Sequence, residues 1–133
     1  FLEHCNFFKV SDEEAMLITG EDTLEAAAAV LLKKTTAVFA ITLGKEGTMI
    51  GRDGTTIIVE SIPVQPVDTT GAGDAFVGAV LYQLDQHFSG SQKAVTNEQW
   101  QKIVFNANKA GARTCEYLGA MEAFKHLSNT IFE

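Results

Sequence analysis

Few cysteines, few prolines and no long apolar run limit what this 133-residue chain can be. Its two cysteines, Cys5 and Cys115, stand far apart and lack the spacing of a metal site or a disulfide framework. This pattern favours reduced thiols and a cytoplasmic location. No stretch reaches the roughly 20 apolar residues that a transmembrane helix needs, and no secretory signal pattern is recognisable.

Positive charge is also scarce, with 10 Lys and Arg against 17 Asp and Glu and a formal net charge of -7. An acidic chain is a poor partner for nucleic acid or for anionic membranes. A nucleotide stays compatible with this charge, because a few backbone amides can bind phosphate inside an acidic protein. The three histidines, His4, His87 and His126, are scattered without metal-ligand spacing.

What the chain does have is a regular alternation of predicted strands and helices. Asp53-Gly54 between two short stretches of β-branched residues indicates a hairpin. Ser11 is the predicted cap of the first helix, and Asn97 is the predicted cap of a long helix that runs to about Cys115. This order points to an α/β layered fold with a mainly parallel sheet, whose ligands bind outside the carboxyl ends of the strands. The predicted strands are 7–10, 37–43, 48–52 and 55–60. The predicted helices are 11–20, 23–34, 75–84 and 97–115, and a short terminal helix is predicted after a loop that begins at Gly119.

The segment at 68–76, DTTGAGDAF, carries the clearest chemical pattern. The small residues Gly71, Ala72 and Gly73 leave backbone N–H groups uncovered where a helix is predicted to begin, and such amides lack intrahelical acceptors. With the helix dipole they form a site for phosphate, and Asp74 beside them could accept a proton from an attacking hydroxyl. A structural alternative stays open, in which the glycines make a tight turn and Asp74 is an ordinary helix cap.

The string DTTGAGDAFVGAV at 68–80 resembles the second signature of the ribokinase-like (PfkB) carbohydrate and nucleoside kinases. The chain has no Walker A loop. The resemblance implies a ribokinase-like α/β/α fold, with Asp74 as the catalytic base and the amides of Gly71, Ala72 and Gly73 as an anion hole. It also implies ATP-dependent phosphorylation of a small sugar, with Mg²⁺ on the phosphates.

Two earlier segments resemble the same family. The run at 11–14, Ser-Asp-Glu-Glu, is similar to the family's N-x-x-E region with Ser11 in place of Asn, which implies a nucleotide-binding role for Ser11 and a water-mediated Mg²⁺ role for Glu14. A capping box is the structural alternative for these two residues. The strand end near Thr42 and Gly44 resembles the segment that approaches the phosphates or the ribose of ATP. A plain strand followed by a turn is the alternative there.

The run at 106–112, Asn-Ala-Asn-Lys-Ala-Gly-Ala, and then Gly119-Ala120-Met121 resemble the family's late helix and the loop after it, on the adenine side. Asn108 would then lie near adenine, and close helix packing is the alternative explanation for its small neighbours. The resemblance also implies a monovalent cation, such as K⁺, held by Asp68, Thr70 and the carbonyl of Gly119. Ala123 stands where some relatives have a hydroxyl, and Asp68 could instead be a turn residue.

The resemblance covers nearly the whole chain, although family members are considerably longer. We therefore expect residues 1–133 to be the C-terminal nucleotide-binding and catalytic part, without the N-terminal sugar-binding part and lid, and to be inactive alone. Phe1 in place of an initiator Met favours the same interpretation. Fructose is the expected substrate, with aminoimidazole riboside and ribose as alternatives, and a homodimer is the expected full-length assembly. A non-catalytic nucleotide-binding module is the alternative from another class.

Overall fold

The computed structural model describes residues 7–64, 71–88 and 95–116. Between Val59 and Glu60 the chain divides into two compact units, which are described separately below. None of the described helices is apolar enough over its length to cross a bilayer. The described elements are β1 (Phe7–Ser11), α1 (Asp12–Thr19), α2 (Leu24–Lys34), β2 (Val38–Thr42), a 3₁₀ turn (Gly44–Glu46), β3 (Thr48–Arg52), β4 (Thr55–Val59), α3 (Ala72–Phe88) and α4 (Asn97–Thr114).

The first unit contains a four-stranded sheet in the order β1-β2-β3-β4. The strands β1 and β2 are parallel, whereas β2–β3 and β3–β4 are antiparallel. The described strands thus confirm the α/β class and the predicted hairpin, but their sheet is mixed rather than mainly parallel. The physical reason is connection length: α1 and α2 cross over between the parallel strands, while the segments 43–47 and 53–54 are too short for a crossover.

The core of the first unit lies between the sheet and the helices α1 and α2. Residues 38–41 of β2 are all buried, as expected of a central strand with both faces covered. The Phe39 ring stacks on Phe8 with 5.6 Å between the ring centroids, and it occupies the space above Gly51, where a Cβ atom would overlap the ring. This packing fixes β1, β2 and β3 side by side and so holds the ends of β1 and β2 together.

Side-chain caps define where the helices begin. Ser11 Oγ accepts a hydrogen bond from the Glu14 N–H at 3.1 Å, and Gly20 ends α1 with φ 73, as predicted. The predicted cap Asn97 is wrong by one residue, because Thr96 caps α4. The Thr96 hydroxyl accepts from the Gln99 N–H, and the Gln99 side chain accepts from the Thr96 N–H, at 3.2 and 2.8 Å. This reciprocal capping box satisfies two amides at once, which explains the choice of position.

In the second unit α3 and α4 pack against each other along buried apolar faces. Trp100 in α4 is only 1% exposed and anchors this packing. The helix α3 begins at Ala72, three residues before its predicted start, because glycine propensity placed the predicted boundary too late. A start at Ala72 brings the whole GAGD segment into the first turn.

A buried polar contact also joins these two helices. Gln83 Nε2 donates to the carbonyls of Ala79 and Ile103, both at 3.0 Å. Asn106 Nδ2 donates to Gln83 Oε1 at 2.9 Å. Both side chains are buried, at 4% exposure, so their hydrogen bonds fix the relative position of α3 and α4 in a way that apolar contacts alone do not.

Candidate active site

The first turn of α3 presents backbone amides that the helix itself does not use. Gly71 has φ 83, which glycine adopts far more readily than other residues. The first helical hydrogen bond runs from the Ala75 N–H to the Gly71 carbonyl at 2.9 Å. The amides at 71–74 precede that bond and therefore have no acceptor within the helix. The predicted anion hole, Gly71 to Gly73, lies within this set.

Asp74 lies in that same turn with its side chain exposed. Its two successors, Ala75 and Phe76, are buried at 8% and 3% exposure and anchor the turn to the second unit. No described residue forms a hydrogen bond or an ion pair with the Asp74 carboxylate. The carboxylate therefore lies outside the packed core and beside the positive end of the helix dipole, where a ligand could contact it.

In the first unit, Ser11 and Thr42 end two neighbouring strands. They are register partners in the parallel pair β1–β2, and both are partly buried. Thr42 Oγ1 donates to the Val10 carbonyl at 3.4 Å, and Ser11 Oγ serves as the cap of α1. The carboxyl end of parallel strands is the usual ligand-binding edge of α/β sheets. Both hydroxyls lie at this edge, and their predicted contact with a nucleotide stays a prediction.

Gly44, two residues after Thr42, begins the 3₁₀ turn. It is exposed with φ 63, and no heavy atom lies within 4 Å of where its Cβ would be. The turn is closed by a hydrogen bond from the Leu43 N–H to the Gly47 carbonyl at 2.9 Å. A ligand could therefore approach the backbone here without meeting a side chain.

Glu14 is exposed in the first turn of α1, beside the other acidic residues of that turn, Asp12 and Glu13. Ser11 supplies the cap, but no bond from the Ser11 N–H to the Glu14 side chain accompanies it, so only half of the alternative capping box is present. The Glu14 carboxylate forms no hydrogen bond with another described residue. Across residues 7–64, 71–88 and 95–116, no group of three or more His, Cys, Asp or Glu could hold a metal ion.

Asn108 is buried at 6% exposure in the second unit. Its Nδ2 donates to the Glu60 carbonyl at 3.1 Å, which ties α4 to the segment at the start of that unit. This contact and the Gln83–Asn106 contact were missed by sequence reasoning. The available signal was the presence of amide side chains on the buried face of α4. The predicted place of Asn108 beside adenine stays a prediction.

The predicted cation ligands Asp68, Thr70 and Gly119 lie outside the described residues, so that site stays a prediction. The remaining predicted site residues divide between the two units. The first unit contains the nucleotide and magnesium candidates, Ser11, Glu14, Thr42 and Gly44. The second unit contains Asp74, its neighbouring amides and Asn108.

Comparison with known proteins identifies the class. The described elements have a ribokinase-like α/β fold, and the model of the pfkB family of carbohydrate kinases matches residues 1–127. The chain belongs to this family. It is 37% identical over 120 residues to Fructokinase-1 of Oryza sativa subsp. japonica, a match that covers 90% of this chain and 36% of that relative.

Two solved structures extend the comparison. A fructokinase double mutant from Vibrio cholerae O395, in a form with bound fructose, ADP and potassium ion, matches with a TM-score of 0.78 and 32% identity, over 90% of this chain and 37% of that one. The second is aminoimidazole riboside kinase from Salmonella enterica, complexed with aminoimidazole riboside and an ATP analog. It matches with a TM-score of 0.77 and 29% identity, over 90% of this chain and 38% of that one. The chain thus spans little more than a third of the length of these relatives.

Proposed function

We propose that the protein containing this chain transfers the γ-phosphoryl group of ATP to a sugar hydroxyl, with fructose as the first candidate substrate. The observation that carries the proposal is the first turn of α3. An exposed carboxylate, Asp74, lies in the same turn as amides that precede the first helical hydrogen bond. Residues 1–133 would then be the nucleotide-binding and catalytic part of the kinase.

The proposed chemistry follows from that turn. Asp74 accepts the proton of the attacking sugar hydroxyl, a role that typically contributes about 10²–10⁴ in rate. The amides at 71–73 stabilise negative charge on the transferring phosphoryl group, where one donor is worth about 10²–10³. Phosphoryl transfer depends on positioning and on electrostatic stabilisation, and this turn supplies a base and fixed donors for both.

The first unit would contribute to nucleotide binding. Ser11 and Thr42 lie at a ligand-binding sheet edge, and Gly44 leaves the backbone open to a phosphate or a ribose. Mg²⁺ would neutralise charge on the β- and γ-phosphates. The described residues contain no dedicated metal cage, which fits an ion that keeps several waters and binds mainly to substrate phosphates. The exposed Glu14 would orient one of those waters.

A monovalent cation site formed by Asp68, Thr70 and Gly119 belongs to the same proposal. Its support is the resemblance of this segment to the family and the potassium ion bound in the Vibrio cholerae relative. Potassium would act by holding Asp68 and Thr70, which precede the anion hole in sequence, so that the anion hole is formed before substrate arrives.

The choice of substrate rests on the relatives. The named sequence relatives are fructokinases, which favours fructose. Aminoimidazole riboside kinase matches almost as well in structure, with a TM-score of 0.77 against 0.78. Aminoimidazole riboside and ribose are therefore the alternatives to include in any substrate panel.

The experiment that tests the catalytic role of this chain is a chimera in which it replaces the segment of Vibrio cholerae fructokinase that it matches. We expect the chimera to phosphorylate fructose with ATP. Replacing Asp74 by Asn keeps the shape of the side chain but removes the base, so kcat should fall by about 10²–10⁴ while ATP affinity changes little. Asp85→Asn is the matched control, because Asp85 is exposed on the same helix roughly 16 Å away.

The non-catalytic alternative makes the opposite prediction. A nucleotide-binding module would bind ATP by calorimetry but give a chimera without turnover, and Asp74→Asn would change nothing beyond a small effect on stability. Equal activity of the Asp74→Asn and Asp85→Asn chimeras would also refute the role of Asp74 as the base.

A further inference from the structure

The helix α4 approaches the first turn of α3 at one glycine, Gly111. A Cβ atom on Gly111 would lie 3.1 Å from the carbonyl oxygen of Ala72 and 3.9 Å from its carbonyl carbon. The first of these distances is shorter than ordinary van der Waals contact, so the Ala72 peptide would have to move. Backbone cannot give way as easily as the end of a flexible side chain.

Glycine is an unfavourable residue inside a helix, and Gly111 lies in the helical span of α4. Its φ is not in the positive range that would require glycine. The remaining explanation on structural grounds is the close approach to Ala72. The contact therefore links α4 to the turn that carries the proposed anion hole.

The peptide that Gly111 contacts also contains one of the anion-hole donors. The Ala72 carbonyl and the Gly73 N–H belong to a single planar peptide unit. Because the C=O bond is only about 1.23 Å long, moving its oxygen by tenths of an ångström tilts the plane and re-aims the Gly73 N–H. We propose that Gly111 is a positioning residue, which keeps the Gly73 N–H aimed at the phosphoryl group. This inference rests on the proposed function.

The two helices cannot easily separate to relieve such a contact. In the buried interface of α3 and α4, Gln83 Nε2 donates a hydrogen bond to the Ile103 carbonyl at 3.0 Å, and Gln83 Oε1 accepts one from Asn106 Nδ2 at 2.9 Å. These bonds hold the helices at a fixed separation further along their length. A methyl group added at Gly111 therefore acts on the Ala72 peptide rather than moving α3 as a whole.

The test compares two Gly→Ala substitutions in the ¹⁵N-labelled chain. Gly111→Ala adds the methyl group against Ala72. Gly78→Ala is the matched control, because Gly78 lies in α3 with no heavy atom within 4 Å of its Cβ position. Both changes raise helix propensity equally. The readouts are the amide resonance of Gly73 without ligand, and ATP affinity by titration.

We expect Gly111→Ala to shift the ligand-free Gly73 amide resonance and to weaken ATP binding about tenfold, consistent with partial loss of one charge-assisted hydrogen bond. Gly78→Ala should do neither. If Gly111→Ala alone does not fold, the double variant Gly78→Ala/Gly111→Ala is measured against Gly78→Ala, since the first change adds stability.

The outcomes separate the inference from the function on which it rests. An unshifted Gly73 resonance, or a shifted resonance with unchanged ATP affinity, overturns the positioning role and leaves the proposed function standing. Absence of ATP binding by the unsubstituted chain counts against the proposed function and removes the positioning role with it. In that case a shifted Gly73 resonance would still report the packing contact.

Discussion

Ser11 and Thr42 are register partners at the carboxyl ends of the parallel strands β1 and β2. They are 31 positions apart in sequence, and the crossover through α1 and α2 brings their backbones together. One hydroxyl starts a helix and the other donates to the neighbouring strand at Val10. A capping role and the proposed ligand-binding role therefore meet at this sheet edge, and mutation can separate the two.

Ser11→Ala is expected to lower both stability and ATP affinity. Loss of the acceptor for the Glu14 N–H should reduce the free energy of unfolding by about 1 kcal/mol, measured by urea titration. Thr23→Ala is the control, because Thr23 caps α2 through a similar bond to the Ala26 N–H at 3.2 Å. Only Ser11→Ala should weaken ATP binding in calorimetry. An equal loss of affinity in both variants would attribute the effect to stability.

The Gln83–Asn106 pair should show energetic coupling. Replacing either residue by Leu leaves buried polar partners without their bond and should lower the free energy of unfolding by about 1–3 kcal/mol. The double variant should cost less than the sum of the single changes by at least about 0.5 kcal/mol. Gln101→Leu, on the exposed side of α4, should be within about 0.5 kcal/mol of the parent. Additive single costs would show that the two side chains act independently.

Gly51→Ala is expected to destabilise the first unit. Its Cβ would overlap the ring of Phe39, its register partner on β2, and such overpacking typically costs about 1–3 kcal/mol. Adding Phe39→Leu should recover part of that loss, because the smaller side chain vacates the space. Thermal unfolding of the two single variants and the double variant measures the effect. No recovery in the double variant would contradict the steric explanation.

Asn108→Ala distinguishes a structural role from contact with the purine. Loss of the bond to the Glu60 carbonyl should lower the free energy of unfolding by about 1–3 kcal/mol. The predicted place beside adenine requires in addition that affinity for ATP falls more than affinity for inorganic tripolyphosphate, which has no base. Equal changes for the two ligands would leave Asn108 with the structural role alone.

Local features of the fold were readable from the sequence because their causes are local. Asp53 and Gly54 form the predicted turn with φ 50 and 77, the backbone that a tight hairpin requires. Ser11 and Gly20 bound the first helix as their capping preferences indicate. The true cap of α4, Thr96, also has a local signal, because Gln99 stands three residues later as a capping box requires.

Contacts between distant elements could not be predicted in the same way. The Gln83–Asn106 bond and the approach of Gly111 to Ala72 depend on how α3 and α4 are aligned, which neither helix specifies alone. The candidate site was easier to predict from the sequence, because phosphate binding requires small residues where a helix begins, as at 71–73. Sequence patterns identified the chemical groups, whereas their supporting contacts required coordinates.

The turn at Asp53–Gly54 has a practical consequence. Thr48, at the other end of β3, pairs with Thr42, so the turn lies about 13 Å further along the strand, away from the sheet edge that includes Ser11. Both turn residues are exposed. A cysteine introduced at Asp53 could carry a fluorescent dye that reports nucleotide titrations. A short affinity tag inserted beside Asp53 could attach the protein to a surface for the same measurement. Either change would leave the sheet edge at Ser11 unobstructed.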